Sequence, residues 1–206
     1  EHALAWKLSN SPKIKAVFVA PGNAGTAYLP KTTNITQVDN AALVQFAKNN
    51  QIALTVVGPE APLAKGVVDA FRAEGLAIFG PTKAAAQLES SKAFAKDFMA
   101  RHGIPTAFYG TFTDAQSAHD YVTQHGAPIV IEADGLAAGK GVVVAMTETE
   151  AHQAIDDMLE GNRLGDAGAR VVIEEFLAGE EASFSVLCDG EHALPFATSQ
   201  DHKRLL

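Results

Sequence analysis

Three short apolar runs rich in β-branched and aromatic residues, KAVFVA (15–20), IALTVVG (52–58) and LAIFG (76–80), are separated by stretches of helical periodicity. Strands that alternate with helices do not pair as hairpins; each helix carries the chain back along the sheet, so the strands run parallel beneath a helical cover. The first part of the chain is therefore an α/β unit. EHALAWKLS, apolar at Leu4, Ala5 and Leu8, predicts a helix at its start. Pro62 suits a first helical turn, Leu63, Val67, Val68 and Phe71 share a face, and Gly75 follows as a stop, which predicts one helix across this stretch. Two runs end in glycine-containing turns, APGNAG (20–25) and VGPEAP (57–62). Ligands of open parallel sheets bind outside the carboxyl ends of strands, where such turns gather, although the same glycines also serve tight turns alone.

The pattern then changes. A helix is expected over about 90–102, capped by Ser90 or Ser91, with Phe94 and Phe98 inward and Gly103 and Pro105 beyond its end. Lys92 falls in its first turn, where the helix dipole disfavours a cation, so the lysine is either solvated or placed there for an anion. From about 107 the expected order is a helix with Thr113 and Gln116 in capping-box positions, a strand (128–132), a glycine-rich loop and a strand (141–145). A helix (148–160) boxed by Thr147 and Glu150 and a strand (170–176) follow. Strands so close on either side of the loop read as a hairpin, giving a small antiparallel subdomain. A further hairpin is expected to turn at Asp189-Gly190.

With 206 residues, 47% of them hydrophobic, the chain can bury a core in one or two domains. Its 24 acidic against 16 basic residues give a net charge of -8 without a basic cluster, which excludes nucleic acid and an anionic membrane surface as expected partners. The single cysteine, Cys188, rules out an internal disulfide and favours a reducing, cytoplasmic setting. No apolar run reaches the ~20 residues of a membrane span. His102, His119, His125 and His152 show no metal-ligand spacing, and structural roles are expected for them. A start at Glu1 inside a helical pattern and a stop at Leu206 lead to the expectation of a fragment.

The loop in IVIEADGLAAGKGVVVA (129–145) is not a P-loop, because only three residues separate Gly135 from Gly139-Lys140 and Gly141 stands where a metal-binding hydroxyl should be. It also precedes a β-prone run rather than a helix, and no dinucleotide-binding glycine fingerprint is present. What remains is a glycine-rich hairpin turn whose backbone N–H groups and lysine can approach polyphosphate. Downstream, Glu174, Glu175, Glu180 and Glu181 crowd a strand end, either as a solvated turn or as ligands of sugar hydroxyls or a cation. Together the two features point to a nucleotide cleft between subdomains.

VFVAPGNAGTA, TVVGPEAPLAKG, IFGPTKAAAQLESSKAFAKDFMARHGIPTA, APIVIEADGLAAGKGVVVA, VVIEEFLAGEEASF and FATSQDHKRL together resemble the phosphoribosylamine-glycine ligase family of the ATP-grasp superfamily, over essentially the whole chain. The resemblance implies an N-terminal parallel-sheet domain (1–88), then an incomplete ATP-grasp domain (89–206) with an antiparallel lid subdomain at about 108–176. It also implies an ATP- and Mg2+-dependent ligase of purine biosynthesis acting on glycine and 5-phosphoribosylamine, expected as a monomer, with fusion to other purine-pathway domains left open. By the same resemblance, Lys92 and the Gly135, Gly139, Lys140 and Gly141 loop would meet the ATP phosphates. Glu174, Glu175, Phe176 and Leu177 would hold adenine, and Glu181 the ribose. Pro21, Gly22, Asn23, Gly25, Thr26, Gly58, Pro59 and Glu60 would form the phosphoribosylamine pocket, and Asp201 and Lys203 would lie near the reacting groups.

Two departures from the family stand out. Glu132 occupies a position where the family carries lysine, and a like charge about 4 Å from a phosphate costs on the order of 4 kcal/mol at an effective dielectric of 20. Weak ATP binding and little turnover are therefore expected, unless Glu132 is neutralised by a partner such as Lys140. In addition, the family's first strand should precede Glu1 and its Mg2+ ligands should follow Leu206, so a chain of this extent is expected to be inactive alone. Another ATP-grasp ligase, such as a related purine-pathway enzyme or a biotin-dependent carboxylase subunit, and a degenerate nucleotide-binding module stay open as alternatives.

Overall fold

The computed structural model describes residues 1–136, 141–161 and 168–200. Helix α1 (His2–Ser9) leads into strand β1 (Val17–Val19), helix α2 (Ala24–Ala27) and strand β2 (Thr32–Asn34), which pairs parallel with β1. Helix α3 (Asn40–Asn49) returns the chain to β3 (Thr55–Val56), and helices α4 (Glu60–Ala64) and α5 (Val67–Ala73) carry it to β4 (Ile78–Phe79), parallel to β3. The alternation thus yields parallel pairs, as the apolar runs require. The single helix expected from Pro62 to Gly75 is instead two: Gly66 adopts φ +80°, a left-handed conformation that ends α4 and starts α5. Val67, Val68 and Phe71 nevertheless share the buried face, with Leu63 packed beside them. Strand β2, reading TTN, has no apolar run to betray it.

The β1–β2 and β3–β4 pairs form separate sheets. A groove of about 240 Å³ runs along them, lined by Leu4 and Leu8 of α1, Phe18 and Val19 of β1, Val56 of β3 and Phe71 of α5.

Helices α6 (Lys83–Ser90) and α7 (Lys92–Arg101) precede the second unit. There β5 (Tyr109–Phe112), β6 (Ile129–Ala133), β7 (Val142–Ala145) and β8 (Val171–Glu175) form an antiparallel sheet in the order β5-β8-β6-β7. Helices α8 (Ala115–His125) and α9 (Glu148–Ile155) cover one face. Ile129, Ile131, Val171 and Ile173 point to them with Val122 and Ile155, each essentially inaccessible and stabilising by roughly 1.5–3 kcal/mol. The expected hairpin around the glycine loop is present as β6 against β7, with Ile129 opposite Ala145 and Glu132 opposite Val142.

Capping follows the sequence at α9, where Thr147 and Glu150 form the box. At α8 it does not. Asp114, one residue on, is the cap and accepts from the Ser117 N–H at 2.9 Å, while Gln116 donates to Asp120 instead. Helix α9 gives way to a wider π-turn over Asp156–Glu160, so the helix expected to reach 160 changes pitch at its end. His119 of α8 joins His152 of α9 (Nδ1–Nδ1 2.7 Å) and Asp156 (2.9 Å), a tie between the two helices.

Beyond β8, β9 (Ala182–Ser183) pairs with β12 (Ser199–Gln200), and β10 (Val186–Cys188) with β11 (Ala193–Pro195). The β10–β11 turn falls at Asp189-Gly190 as expected; the His192 N–H and then the Glu191 N–H donate to Asp189 and hold its carboxyl below the ordinary range. Among the described residues no helix is long and apolar enough to cross a membrane.

Candidate functional site

Side chains of a strand alternate between faces, so Ile131 and Ile173 facing the core put Glu132 and Glu174 on the opposite face of the antiparallel sheet. That face is met by α7. Lys92 and Lys96, one helical turn apart, reach neighbouring strands: Lys92 pairs with Glu132 of β6 at 3.3 Å, and Lys96 forms an ion pair with Glu174 of β8. Asp97 accepts a hydrogen bond from the Tyr109 hydroxyl of β5 at 2.7 Å, and this bond, with burial and the carboxylate charge, raises the phenol above its ordinary pKa. Three successive strands are thereby bound to one helix.

Glu132 is 8% exposed, whereas the Lys92 side chain remains nearly half exposed. A buried carboxylate requires a partner, and Lys92 supplies it. The ion pair thus forms with Lys92, the lysine of the helix, while the alternative partner, Lys140, lies outside the described residues together with Gly139.

The root of the loop is tied to the same helix. Asp134 Oδ1 accepts from the Ser91 hydroxyl (2.9 Å) and the Ala93 N–H (2.8 Å), and the Asp134 carbonyl accepts from the Lys92 N–H (3.1 Å). Ser91 in turn caps the Phe94 N–H at 3.1 Å, settling which serine is the cap. Arg170, just before β8, donates to Asp134 Oδ2 at 3.3 Å and accepts from the Asp134 N–H through its carbonyl at 3.0 Å. The first-turn lysine thus does have anions beside it. With Arg170 and Lys92 offset by Asp134 and Glu132, these four charges at the loop root sum to zero.

Gly135 continues the loop, and the Gly141 carbonyl accepts from the Ala133 N–H at 2.7 Å to close its far side. On the sheet face beside it, Val142 and Val144 are partly exposed and register with Glu132 and Val130. At the other end of that face, Lys96 also donates to Thr106 Oγ1 at 2.9 Å, so the Glu174 side chain is engaged internally. The Glu175 N–H donates to the Phe108 carbonyl at 3.0 Å, fixing the strand end from which Phe176 and Leu177 continue.

In the parallel unit, Asn23 and Thr26 form a reciprocal cap on α2. Asn34 of β2 supports that turn: its amide donates to the Asn23 carbonyl at 2.9 Å and its oxygen accepts from Thr26 Oγ1 at 2.7 Å. Gly22 lies at φ +78°, and a Cβ there would collide with the Asn34 side chain. Pro21 and Gly25 complete this turn. Gly58 and Pro59 line the apolar groove together with Ala20, so both glycine turns reach one groove, and Glu60 opens α4 beside it. Glu181 follows the exposed stretch after Gly179, and Asp201 and Lys203 lie outside the described residues. Among the described residues no group of three or more histidine, cysteine or carboxylate side chains is arranged to hold a metal ion.

Sequence reasoning missed Asn34, Lys96, Asp134 and Arg170. Only Lys96 left a trace, the four-residue interval from Lys92 on a predicted helix. Asp134 reaches Ser91 across 43 residues of sequence, a distance no local pattern encodes.

A family model described as phosphoribosylglycinamide synthetase, N domain, matches residues 1–89, and one described as phosphoribosylglycinamide synthetase, ATP-grasp (A) domain, matches residues 90–206. Curated relatives include proteins named phosphoribosylamine–glycine ligase from Neisseria meningitidis serogroup A, 69% identical over 206 residues, and from Escherichia coli K12, 66% identical over 207. All of this chain is covered in both comparisons, against 49% and 48% of those proteins, so the chain spans about half the length of the curated relatives it matches. The crystal structure of phosphoribosylamine–glycine ligase from Thermotoga maritima is 29% identical with a TM-score of 0.79, over 99% of this chain and 48% of that one. The biotin carboxylase–β,γ-ATP complex from Campylobacter jejuni, 17% identical over 94% of this chain and 47% of that one with a TM-score of 0.75, shares the fold.

Proposed function

Because the chain belongs to the phosphoribosylglycinamide synthetase family, we propose that it is part of an ATP-dependent ligase joining glycine to 5-phosphoribosylamine, and that Glu132 leaves this chain with weak nucleotide affinity and little turnover. In that reaction a glycine carboxylate oxygen attacks the ATP γ-phosphorus and ADP leaves. The phosphoribosylamine nitrogen then attacks the glycyl carbonyl carbon, the C–O bond to phosphate breaks, and the nitrogen loses a proton, giving glycinamide ribonucleotide. Both reacting groups belong to the substrates, so the protein's contribution is position and charge.

The observation that carries the proposal is the convergence of Lys92, residue 132 and the glycine loop at one point, fixed by Asp134. In the proposed roles Lys92, Gly135, Gly139, Lys140 and Gly141 contact the phosphates. The backbone of Glu174, Glu175, Phe176 and Leu177 receives adenine beside Val142 and Val144, and Glu181 the ribose. The phosphoribosylamine phosphate meets the N–H groups of Gly22, Asn23, Gly25 and Thr26, with Pro21, Gly58, Pro59 and Glu60 shaping the pocket. Asp201 and Lys203 are assigned to the reacting ends. Mg2+ would accompany the nucleotide; among the described residues no group of three or more histidine, cysteine or carboxylate side chains is arranged to hold it. The proposed division is a substrate domain at 1–88 and a truncated ATP-grasp domain at 89–206, in a cytoplasmic monomer.

The Lys92–Glu132 pair supports a second reading, a nucleotide-poor module without turnover, because it spends the described lysine of the site on the protein's own carboxylate. Calorimetry with ATP on the chain and on Glu132→Lys tests the first reading: gain of affinity on substitution supports it, and tight ATP binding by the unsubstituted chain, not improved by lysine, contradicts it. Formation of glycinamide ribonucleotide by a chain extended to the length of its relatives and carrying Glu132→Lys then separates ligase from module.

A further inference from the structure

We infer that Asp134 is a positioning residue: its carboxylate and main chain fix the N-terminus of α7 to the root of the glycine loop, and so hold Lys92 over residue 132. The inference deepens the nucleotide reading above and rests on it for its functional consequence, but not for its geometry.

The first turn of a helix leaves N–H groups without partners, and a local serine or threonine ordinarily satisfies one of them. Ser91 does this for Phe94. The Lys92 and Ala93 N–H groups are taken by Asp134 from a different element, and the Ser91 hydroxyl spends its own proton on the same carboxylate. A charged acceptor at a helix N-terminus is favoured by the dipole, and these contacts are charge-assisted. On the other side, Arg170 takes Asp134 Oδ2, and its carbonyl takes the Asp134 N–H. The start of α7, the end of β6 and the approach to β8 therefore meet on one side chain that is itself mostly buried.

The consequence is geometric. Lys92 extends from the residue whose N–H is held by the Asp134 carbonyl, while residue 132 lies two positions before Asp134 on β6. The distance between the two side-chain roots is set by Asp134, whichever residue stands at 132. With glutamate there, the arrangement produces an ion pair; with lysine there, the same arrangement points two cations at one anion.

The test uses Asp134→Ala and Asp134→Asn in the chain as it stands and in the Glu132→Lys background. Asparagine keeps an oxygen for Ser91 and Ala93 and gives up the charge toward Arg170, so it should rescue. In the chain as it stands, the rate at which an amine-acylating reagent labels Lys92, read by mass spectrometry against Lys7, should rise about fivefold or more in Asp134→Ala and stay within about twofold in Asp134→Asn. In the Glu132→Lys background, ATP affinity should fall about tenfold with alanine and no more than about threefold with asparagine. An unchanged Lys92 labelling rate in Asp134→Ala, or equal effects of the two substitutions, overturns the inference. If Asp134→Ala does not fold, Arg170→Leu removes the donor to Oδ2 while leaving the Ser91 cap of α7 in place, and carries the same labelling test with a smaller expected rise. If the Glu132→Lys chain binds no ATP, the nucleotide reading fails while the labelling result still decides the role of Asp134.

Discussion

Glu132, buried on β6, and Lys92, in the first turn of α7, stand 3.3 Å apart as an ion pair at the root of the glycine loop. The pair answers both charges at once. A carboxylate inside the sheet face is compensated, and a lysine placed against a helix dipole gains an anion.

Glu132→Lys should therefore act in opposite directions on the free chain and on its affinity for nucleotide. Without ligand, two lysines face each other where a pair had been, and the chain should lose about 1–3 kcal/mol, or roughly 2–4 °C in Tm for each of them. With ATP present, replacing a repelling charge by an attracting one should strengthen binding by at least about a hundredfold after allowance for the exposure of Lys92. Melting curves with and without ATP check both signs; a rise in the ligand-free Tm would contradict the ion-pair account.

The Lys96–Glu174 pair is more deeply placed and should respond differently. Removing one partner leaves the other charge buried, so Lys96→Met and Glu174→Leu should each destabilise by about 3–5 kcal/mol. Removing both together, as Lys96→Met with Glu174→Leu, should cost far less than the sum, because no uncompensated charge remains. Denaturant unfolding of the singles and the double closes the cycle, and additive losses would show that the two side chains do not depend on each other.

What the sequence revealed and what it hid divide along a physical line. Periodicity reports which face of an element is buried, so the β3–β4 parallel pair, the β6–β7 hairpin and the Thr147 box were legible, whereas β2, without an apolar run, was not. It does not report backbone conformation at one residue, which is why Gly66 passed unnoticed and one helix became two. Nor does it report contacts between distant segments. Glu132 was singled out by the family resemblance, but Lys92, with which it pairs, lies 40 positions earlier in sequence, beyond the reach of local spacing. The cap of α8 was misread because Thr113 and Asp114 are both good caps, and only the extended backbone at Asp114 decides between them.

That cap gives a pH prediction. The Ser117 N–H donates to Asp114 and lowers its pKa below the ordinary value of 3.8. A depressed carboxyl stabilises the fold fully above the unfolded pKa, and that contribution disappears as pH falls through the folded value. Asp114→Asn, which keeps an accepting oxygen without a titrating group, should flatten the acid limb of Tm against pH below about 4 and leave Tm near neutrality little changed. Parallel acid limbs for the two chains would refute the assignment.

The apolar groove of the parallel unit makes the last prediction. It is bordered by Phe18 and Val19 of β1 and by Val56 of β3, while α1 covers it with Leu4 and Leu8. Among the described residues each of these strands pairs with one parallel neighbour, which leaves the backbone N–H and C=O groups of its other edge without a strand partner there. One added parallel strand between β1 and β3 would join the two sheets in the order β2-β1-new strand-β3-β4 and bury the groove's side chains. Glu1 lines the same groove as Ala20 and Gly58, which follow β1 and β3, so a strand entering α1 through Glu1 would leave the sheet at the carboxyl ends of both neighbours, parallel to them. An apolar, β-branched segment of about six residues joined ahead of Glu1 should therefore raise Tm by several degrees and slow amide exchange at residues 17–19 and 55–57. A scrambled polar segment of equal length should do neither. Equal exchange rates with the two extensions would mean that the groove does not accept a strand.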